Sequence, residues 1–153
     1  MGGNKLKRFK ENLSFDNLIQ PEREDLVKDN FLFKGKWSKF FENNNPIVLE
    51  LGCGKGEYTY SLANKYPNQN FIGIDIKGAR IWKGAKDSIS KDLKNVCFVR
   101  CQIELIDKIF AKNEISEIWL TFPDPQIKYQ RRKHRLMNSC LLYTSDAADD
   151  RIC

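Results

Sequence analysis

The sequence predicts an α/β fold of the doubly wound, Rossmann-like kind, in which helices cover both faces of a parallel sheet. Short apolar runs alternate with segments of helical periodicity, which is the pattern of repeated strand–helix units. The apolar runs are continuous, as expected for strands buried on both faces. The first run leads into a turn with glycine at every second position, Gly52, Gly54 and Gly56. Turns of this kind form ligand sites at the carboxyl ends of strands in such folds.

The predicted elements divide the chain into an arm and a domain. Residues 1–45 are a basic N-terminal arm that ends in a short helix, because Trp37, Phe40 and Phe41 recur at helical spacing before the break at Pro46. Residues 46–139 form the α/β domain. Its predicted strands are 47–51, 71–76, 96–101 and 118–122, and its predicted helices are 57–66, 79–93 and 103–110.

Composition narrows the class of protein. The chain has 153 residues, a formal net charge of +6 and 30% charged residues, which indicates one soluble domain with a polyanionic partner. No apolar stretch approaches the roughly 20 residues that cross a membrane. The five cysteines lack the spacing of a metal site, and we expect no bound metal. Cys97 and Cys101 are predicted to be buried thiols of a cytoplasmic protein.

The last fourteen residues differ from the sequence before them. Residues 140–153 contain Cys-Leu-Leu-Tyr-Thr-Ser-Asp-Ala-Ala-Asp-Asp and reverse the basic trend of the chain. They resemble the in-frame translation of a transposase-type sequencing adapter. We therefore predict that 140–153 is a non-native tail and that the α/β domain is incomplete at its C-terminus. A chain of this kind is expected to be poorly folded or inactive.

The spacing of the glycines discriminates among nucleotide cofactors. A phosphate-binding P-loop needs a Gly-Lys-Ser/Thr end, whereas Lys55 is followed by Gly56. A dinucleotide fingerprint places its third glycine three positions after the second, which Gly54 and Gly56 do not match. The segment does match Glu-x-Gly-x-Gly-x-Gly, the signature of S-adenosylmethionine sites, beginning at Glu50. This cofactor has a cationic sulfonium and an amino-acid tail, so an acidic residue beside the turn suits it. Dinucleotide binding and a turn without a ligand remain alternatives.

Polar side chains follow four predicted strands at or just beyond their carboxyl ends. They are Glu50, Asp75, Gln102 and Asp124. Because the carboxyl ends of parallel strands meet at one edge, we expect these side chains to converge on one crevice. A carboxylate such as Asp75 accepts hydrogen bonds from ribose hydroxyls.

A second motif lies after the last predicted strand. Residues 121–125 read Thr-Phe-Pro-Asp-Pro, and the two prolines restrict the backbone on either side of Asp124. A basic cluster follows, which includes Lys128, Arg131 and Arg132 and contains no acidic residue. Such a cluster is often a solvated surface, but beside a predicted crevice it indicates contacts with nucleic-acid phosphates.

Three segments carry a family resemblance: the glycine turn, Phe-Ile-Gly-Ile-Asp-Ile-Lys-Gly-Ala-Arg, and Ile-Trp-Leu-Thr-Phe-Pro-Asp-Pro-Gln. Together they resemble the bacterial tRNA (guanine-N7-)-methyltransferase family. The resemblance covers about residues 49–139. It implies an S-adenosylmethionine-dependent methyltransferase that modifies N7 of a guanosine in tRNA. Residues in the implied cofactor contacts are Glu50, Gly52, Gly54, Gly56, Asp75, Gln102 and Asp124.

The resemblance also implies roles at the substrate. Asp124 is the implied catalytic residue and Lys128 an implied substrate contact, to which the basic cluster adds Arg131 and Arg132. Gln102 departs from the carboxylate or asparagine of many family members. Two alternatives stay open. One is a methyltransferase that acts on another substrate, and the other is a non-catalytic RNA-binding fragment.

Overall fold

The computed structural model describes residues 2–120, and within them the predicted parallel sheet is confirmed. Five parallel strands lie in the order β1-β4-β3-β2-β5. Their bounds are Leu18–Ile19 (β1), Ile47–Leu51 (β2), Asn70–Asp75 (β3), Val96–Arg100 (β4) and Glu117–Leu120 (β5). The helices are Gly2–Asn12 (α1), Arg23–Val27 (α2), Trp37–Phe41 (α3), Glu57–Lys65 (α4), Gly78–Ser90 (α5) and Ile106–Ile109 (α6).

The strands bury alternate residues in two separate cores, one on each face of the sheet. On one face Leu49, Ile72 and Val99 pack with α3 and α6, where Trp37 is fully buried. On the other face Phe98 packs with α4 and α5. Residues two apart in a strand point to the same face, so a continuously apolar strand supplies both cores at once. This explains why the central strands are mostly apolar, whereas in the edge strand β5 the exposed residues Glu117 and Trp119 alternate with half-buried ones.

The N-terminal arm contains structure that the sequence did not predict. Helix α1 packs on α5, and the Asn12 side-chain amide donates a hydrogen bond to the Gly78 carbonyl at 2.9 Å. Strand β1 follows and pairs with β4, with Leu18 opposite Phe98. The arm therefore adds an edge strand and a covering helix to the sheet of the α/β domain.

Helix bounds in the domain differ slightly from the predicted ones. The segment predicted as one helix over 103–110 is a 3₁₀ turn at Ile103–Leu105 followed by α6. In α5 the buried face is formed by Ile81, Ala85 and Ser88, whereas Ile89 is exposed. None of the helices within residues 2–120 has the length and apolar character needed to cross a membrane.

Candidate functional site

The glycine turn joins β2 to α4 in a backbone conformation that side chains disfavour. Gly52, Gly54 and Gly56 have φ values of +70°, +58° and +72°. Gly56 also lies against the core between the sheet and helices α4 and α5. A Cβ atom added at Gly56 would be 2.5 Å from Cε1 of Phe98 in that core. A Cβ at Gly52 would meet nothing within 4 Å. The third glycine is therefore required for close packing, and the first leaves open space on its outer side.

Asp75, at the end of β3, fixes this turn. Its carboxylate accepts a hydrogen bond from the Gly54 amide at 2.9 Å and another from the Lys77 amide at 2.9 Å. The side chain is buried. Each carboxylate oxygen can accept a second hydrogen bond, so the residue can hold the turn and still accept from a ligand hydroxyl.

Glu50 adds a second buried carboxylate next to the turn. It lies in β2, and the Thr59 hydroxyl from α4 donates a hydrogen bond to it. The charge of Glu50 affects the nearby Cys53 thiol. Burial raises the pKa of the Cys53 thiol well above its ordinary value, and the Glu50 and Asp75 carboxylates raise this pKa further. The two carboxylates favour a cationic ligand group beside the turn, and the Arg80 guanidinium partly offsets their effect on this pKa.

Gln102 lies two strands away from Glu50, beyond the end of β4. It lines an open cavity of about 410 Å³ together with apolar side chains that include Leu26, Ile76 and Leu105. The Arg23 guanidinium, from α2, donates a hydrogen bond to the Gln102 amide oxygen at 2.5 Å. The wall opposite the sheet edge is formed by the N-terminal arm. A second cavity of about 310 Å³ borders the glycine turn itself.

The structure places the predicted residues that it describes along one end of the sheet, but Glu50 and Gln102 line two different cavities, so their convergence on one crevice stays a prediction. Because β3 lies between β2 and β4 in the sheet, Asp75 stands between Glu50 and Gln102 along one edge. Ile76, next to Asp75 in the chain, lines the larger cavity. The remaining predicted site residues, Asp124, Lys128, Arg131 and Arg132, lie outside the described residues.

Two residues of this edge were missed by sequence reasoning. Arg23 gave no signal because it reaches Gln102 across 79 positions of the chain. Arg80 lies at the glycine turn, since a Cβ added to Gly54 would be 2.9 Å from an Arg80 guanidinium nitrogen. Its position one turn into the helix after Asp75 was visible in the sequence, but helical spacing does not show that the side chain folds back.

Two other kinds of site, a metal site and a nucleophilic cysteine, are not supported by the residues that the structure describes. Within 2–120 no group of His, Cys, Asp and Glu side chains is arranged to hold a metal ion. The thiols of Cys97 and Cys101 are buried as predicted, and burial raises the pKa of Cys101 to about 12. A thiol with so high a pKa is a poor nucleophile at neutral pH.

Comparison with known families gives a match over most of the chain. The family model described as "Putative methyltransferase" matches residues 44–148. The match begins just before β2 and includes the glycine turn and the Thr-Phe-Pro-Asp-Pro segment. It also continues into the segment 140–153, whose non-native origin stays a prediction.

Curated relatives carry a more specific name. The chain is 66% identical to the tRNA (guanine-N(7)-)-methyltransferase of Christiangramia forsetii over 140 residues, which are 91% of this chain and 62% of the relative. It is 53% identical to the protein of the same name from Bacteroides fragilis over 84% of this chain and 51% of the relative. The chain thus spans between half and two thirds of the length of these relatives.

A solved structure supports the fold. The chain resembles the "antibiotic related Methyltransferase" with a TM-score of 0.60 and 26% identity, over 75% of this chain and 60% of the other.

Proposed function

Since the chain belongs to the methyltransferase family whose model matches residues 44–148, we propose that it binds S-adenosylmethionine and methylates N7 of a guanosine in tRNA. The observation that carries the proposal is the edge formed by Glu50, Asp75 and Gln102. The names of the relatives from Christiangramia forsetii and Bacteroides fragilis supply the substrate and the methylated atom. The edge supplies the reason why this chain could bind the cofactor.

The residues of the edge fit the three parts of this cofactor. The Glu50 carboxylate beside the turn suits the cationic sulfonium and amino groups. Asp75 has acceptor capacity left for ribose hydroxyls. The larger cavity offers Ile76 and Leu105 as apolar walls for a purine and Gln102 as a polar group at its rim. Gly52, Gly54 and Gly56 let the backbone approach the ligand closely.

The substrate side of the proposal rests on residues beyond those described. Lys128, Arg131 and Arg132 would contact phosphates of the tRNA, since this stretch contains no acidic residue to neutralise them. N7 in an A-form helix faces a deep, narrow groove that side chains cannot enter. The target guanosine must therefore be unpaired or held in a tertiary fold.

The proposed reaction depends mainly on the alignment of the guanine N7 atom with the methyl group. When bound, S-adenosylmethionine supplies an electrophilic methyl group. N7 carries a free lone pair, so no side chain has to remove a proton before the attack. The protein would hold the guanine in line with the methyl group, and well-oriented reactants can gain up to about 7–11 kcal/mol from such positioning. Asp124 would contact the cofactor and stabilise the positive charge that develops on the guanine.

Location follows from the substrate. A tRNA-modifying enzyme would act in the cytoplasm, where the three free, buried thiols Cys53, Cys97 and Cys101 would stay reduced.

The direct test is methyl transfer to bulk tRNA. We expect that this chain, completed with the C-terminal part of the Christiangramia forsetii relative, introduces N7-methylguanosine. Borohydride reduction followed by aniline cleavage detects the product. The Asp124→Ala variant of the same protein is the matched control and should give only background cleavage.

The outcomes separate the open alternatives. Transfer of labelled methyl to a protein or small molecule, with none to tRNA, would indicate a methyltransferase with another substrate. Binding of tRNA without any methyl transfer or cofactor binding would indicate a non-catalytic RNA-binding protein.

A further inference from the structure

Helices α1 and α5 carry many basic side chains that have not been assigned to the proposed cofactor or substrate site. These basic residues are Lys5, Lys7, Arg8, Lys10, Lys77 and Lys86, of which Arg8 is half-buried and the others are exposed. At 3.6 residues per turn, Lys7 and Lys10 lie on the side of α1 away from Lys5 and Arg8, so the charge surrounds the helix. We call this surface the α1–α5 basic face. The two helices contain only two acidic residues, Glu11 and Asp87. The face is therefore strongly positive over two packed helices.

These charges are not neutralised by neighbours. Within residues 2–120, ion pairs join Lys28 to Glu24, Lys34 to Asp29, Lys83 to Asp87, Lys94 to Asp92 and Lys108 to Asp107. No lysine of the α1–α5 basic face forms an ion pair in the same part of the chain. The paired lysines lie outside the α1–α5 basic face. One of them, Lys83, lies in α5 and is paired with Asp87, the one acidic residue of that helix.

An aromatic side chain, Trp82, joins part of the face. The Arg8 guanidinium lies 4.5 Å from the centre of the Trp82 ring and the Lys86 ammonium 4.7 Å from it. The indole N–H of Trp82 donates a hydrogen bond to the Glu11 carboxylate. Arg8 and Lys86 are thus positioned by the same indole ring, and Lys5, Lys7, Lys10 and Lys77 are exposed.

The position of the face links it to the site. Helix α5 starts three residues after Asp75, and the Lys77 amide donates to the Asp75 carboxylate. Asn12, at the end of α1, contacts the first residue of α5. One end of the basic face therefore lies at the sheet edge where a substrate nucleotide would meet the cofactor.

We propose that the α1–α5 basic face binds the phosphate backbone of the RNA substrate beside the target nucleotide. The proposal rests on the proposed function. RNA is the favoured partner because exposed lysines that form no ion pair within residues 2–120 match a chain of phosphates, and because the face adjoins the site of a base-modifying reaction. The face would give the N-terminal arm a role in substrate binding that is separate from that of the basic cluster at Lys128, Arg131 and Arg132.

A matched pair of triple variants tests the proposal in the chain completed with the C-terminal part of the Christiangramia forsetii relative, which serves as the parent chain. The test variant is Lys5→Ala/Lys7→Ala/Lys10→Ala, and the control is Lys28→Ala/Lys34→Ala/Lys94→Ala. Both lower the net charge equally, but the control removes only lysines that are paired with acids. Binding of bulk tRNA is measured by fluorescence anisotropy over a series of salt concentrations.

We expect the test variant to weaken tRNA binding at least about tenfold at 0.1 M salt and to lower the slope of log affinity against log salt by about 2–3. The control should change the affinity less than about threefold. Both variants should bind S-adenosylhomocysteine as the parent chain does, which shows that the fold is intact.

Three results would overturn the inference. One is an equal loss of tRNA affinity in both triple variants, which would mean that only net charge matters. Another is an equal loss of affinity for heparin and tRNA in the test variant, which would mean that the face is a general polyanion surface. The third is full tRNA affinity in the test variant. By contrast, a parent chain that binds neither S-adenosylhomocysteine nor tRNA would contradict the proposed function itself.

Discussion

The Asp75 carboxylate at the glycine turn is held by two backbone amides, whereas Gln102, at the neighbouring strand end, is held by one exposed arginine. Both residues lie on the same edge of the sheet and are proposed to contact the same cofactor. The turn is buried against Phe98, and its partners come from the same α/β domain. The cavity at Gln102 is open and is completed by the N-terminal arm.

This difference indicates how binding energy is divided along the edge. A rigid, buried group loses little freedom when a ligand arrives, so its hydrogen bonds count almost fully. An exposed side chain competes with water and must be ordered first. We therefore expect substitutions at the turn to lower the free energy of unfolding and the cofactor affinity more than substitutions at Gln102 do.

The largest expected effect is at Gly56. Substitution Gly56→Ala places a Cβ against Phe98 in a backbone with φ of +72°. Left-handed strain costs about 1–2 kcal/mol, and overpacking of a core adds about 1–3 kcal/mol. Urea unfolding of the chain completed with the C-terminal part of the Christiangramia forsetii relative should therefore show a loss of about 2–5 kcal/mol in the free energy of unfolding.

Gly52→Ala is the matched control for this measurement. Gly52 has nearly the same φ, +70°, but open space around it, so only the strain of about 1–2 kcal/mol should appear. Equal losses in the two variants would show that packing against Phe98 does not fix the turn.

The turn was predictable from the sequence because its signals are local. The strand predicted at 47–51 is found as Ile47–Leu51, and the glycines follow it directly. The N-terminal side was not predictable in the same way. Strand β1 has only two residues, Leu18 and Ile19, and exists because they pair with Phe98 and Val99. Pairing over such a distance leaves no periodic pattern in the sequence.

The second prediction compares the two proposed cofactor contacts directly. Asp75→Ala removes a carboxylate that holds the turn and would bind ribose. Hydrogen bonds to charged groups contribute about 1.5–3 kcal/mol, so the affinity for S-adenosylhomocysteine should fall about 10- to 150-fold. Gln102→Ala should lower it by less than about tenfold. Isothermal titration calorimetry measures both.

Asp75→Asn tests whether the turn needs both carboxylate oxygens, because each accepts a hydrogen bond from a different backbone amide. Asparagine keeps one acceptor oxygen but places its NH2 group, a donor, against the other amide, so the variant should lose thermal stability as well as affinity. If Gln102→Ala weakened binding more than Asp75→Ala, the assignment of the stronger contact to the turn would be wrong.

The smallest expected effect is at Arg23, and it tests whether the arm takes part in the site at all. The Arg23 guanidinium donates to the Gln102 amide oxygen, and this contact orients the amide at the rim of the cavity. The hydrogen bond is exposed and competes with water, and it acts on the cofactor only through Gln102. Arg23→Ala should therefore weaken S-adenosylhomocysteine binding less than Gln102→Ala does, by about 2- to 5-fold, which corresponds to about 0.5–1 kcal/mol. Arg23→Lys keeps a donor and should recover part of that loss. The decisive comparison is a double-mutant cycle, in which Arg23→Ala is measured again in the Gln102→Ala background. If Arg23 acts through Gln102, its substitution has no further effect there. An unchanged effect would mean that Arg23 contributes independently, through the wall of the cavity or through its charge.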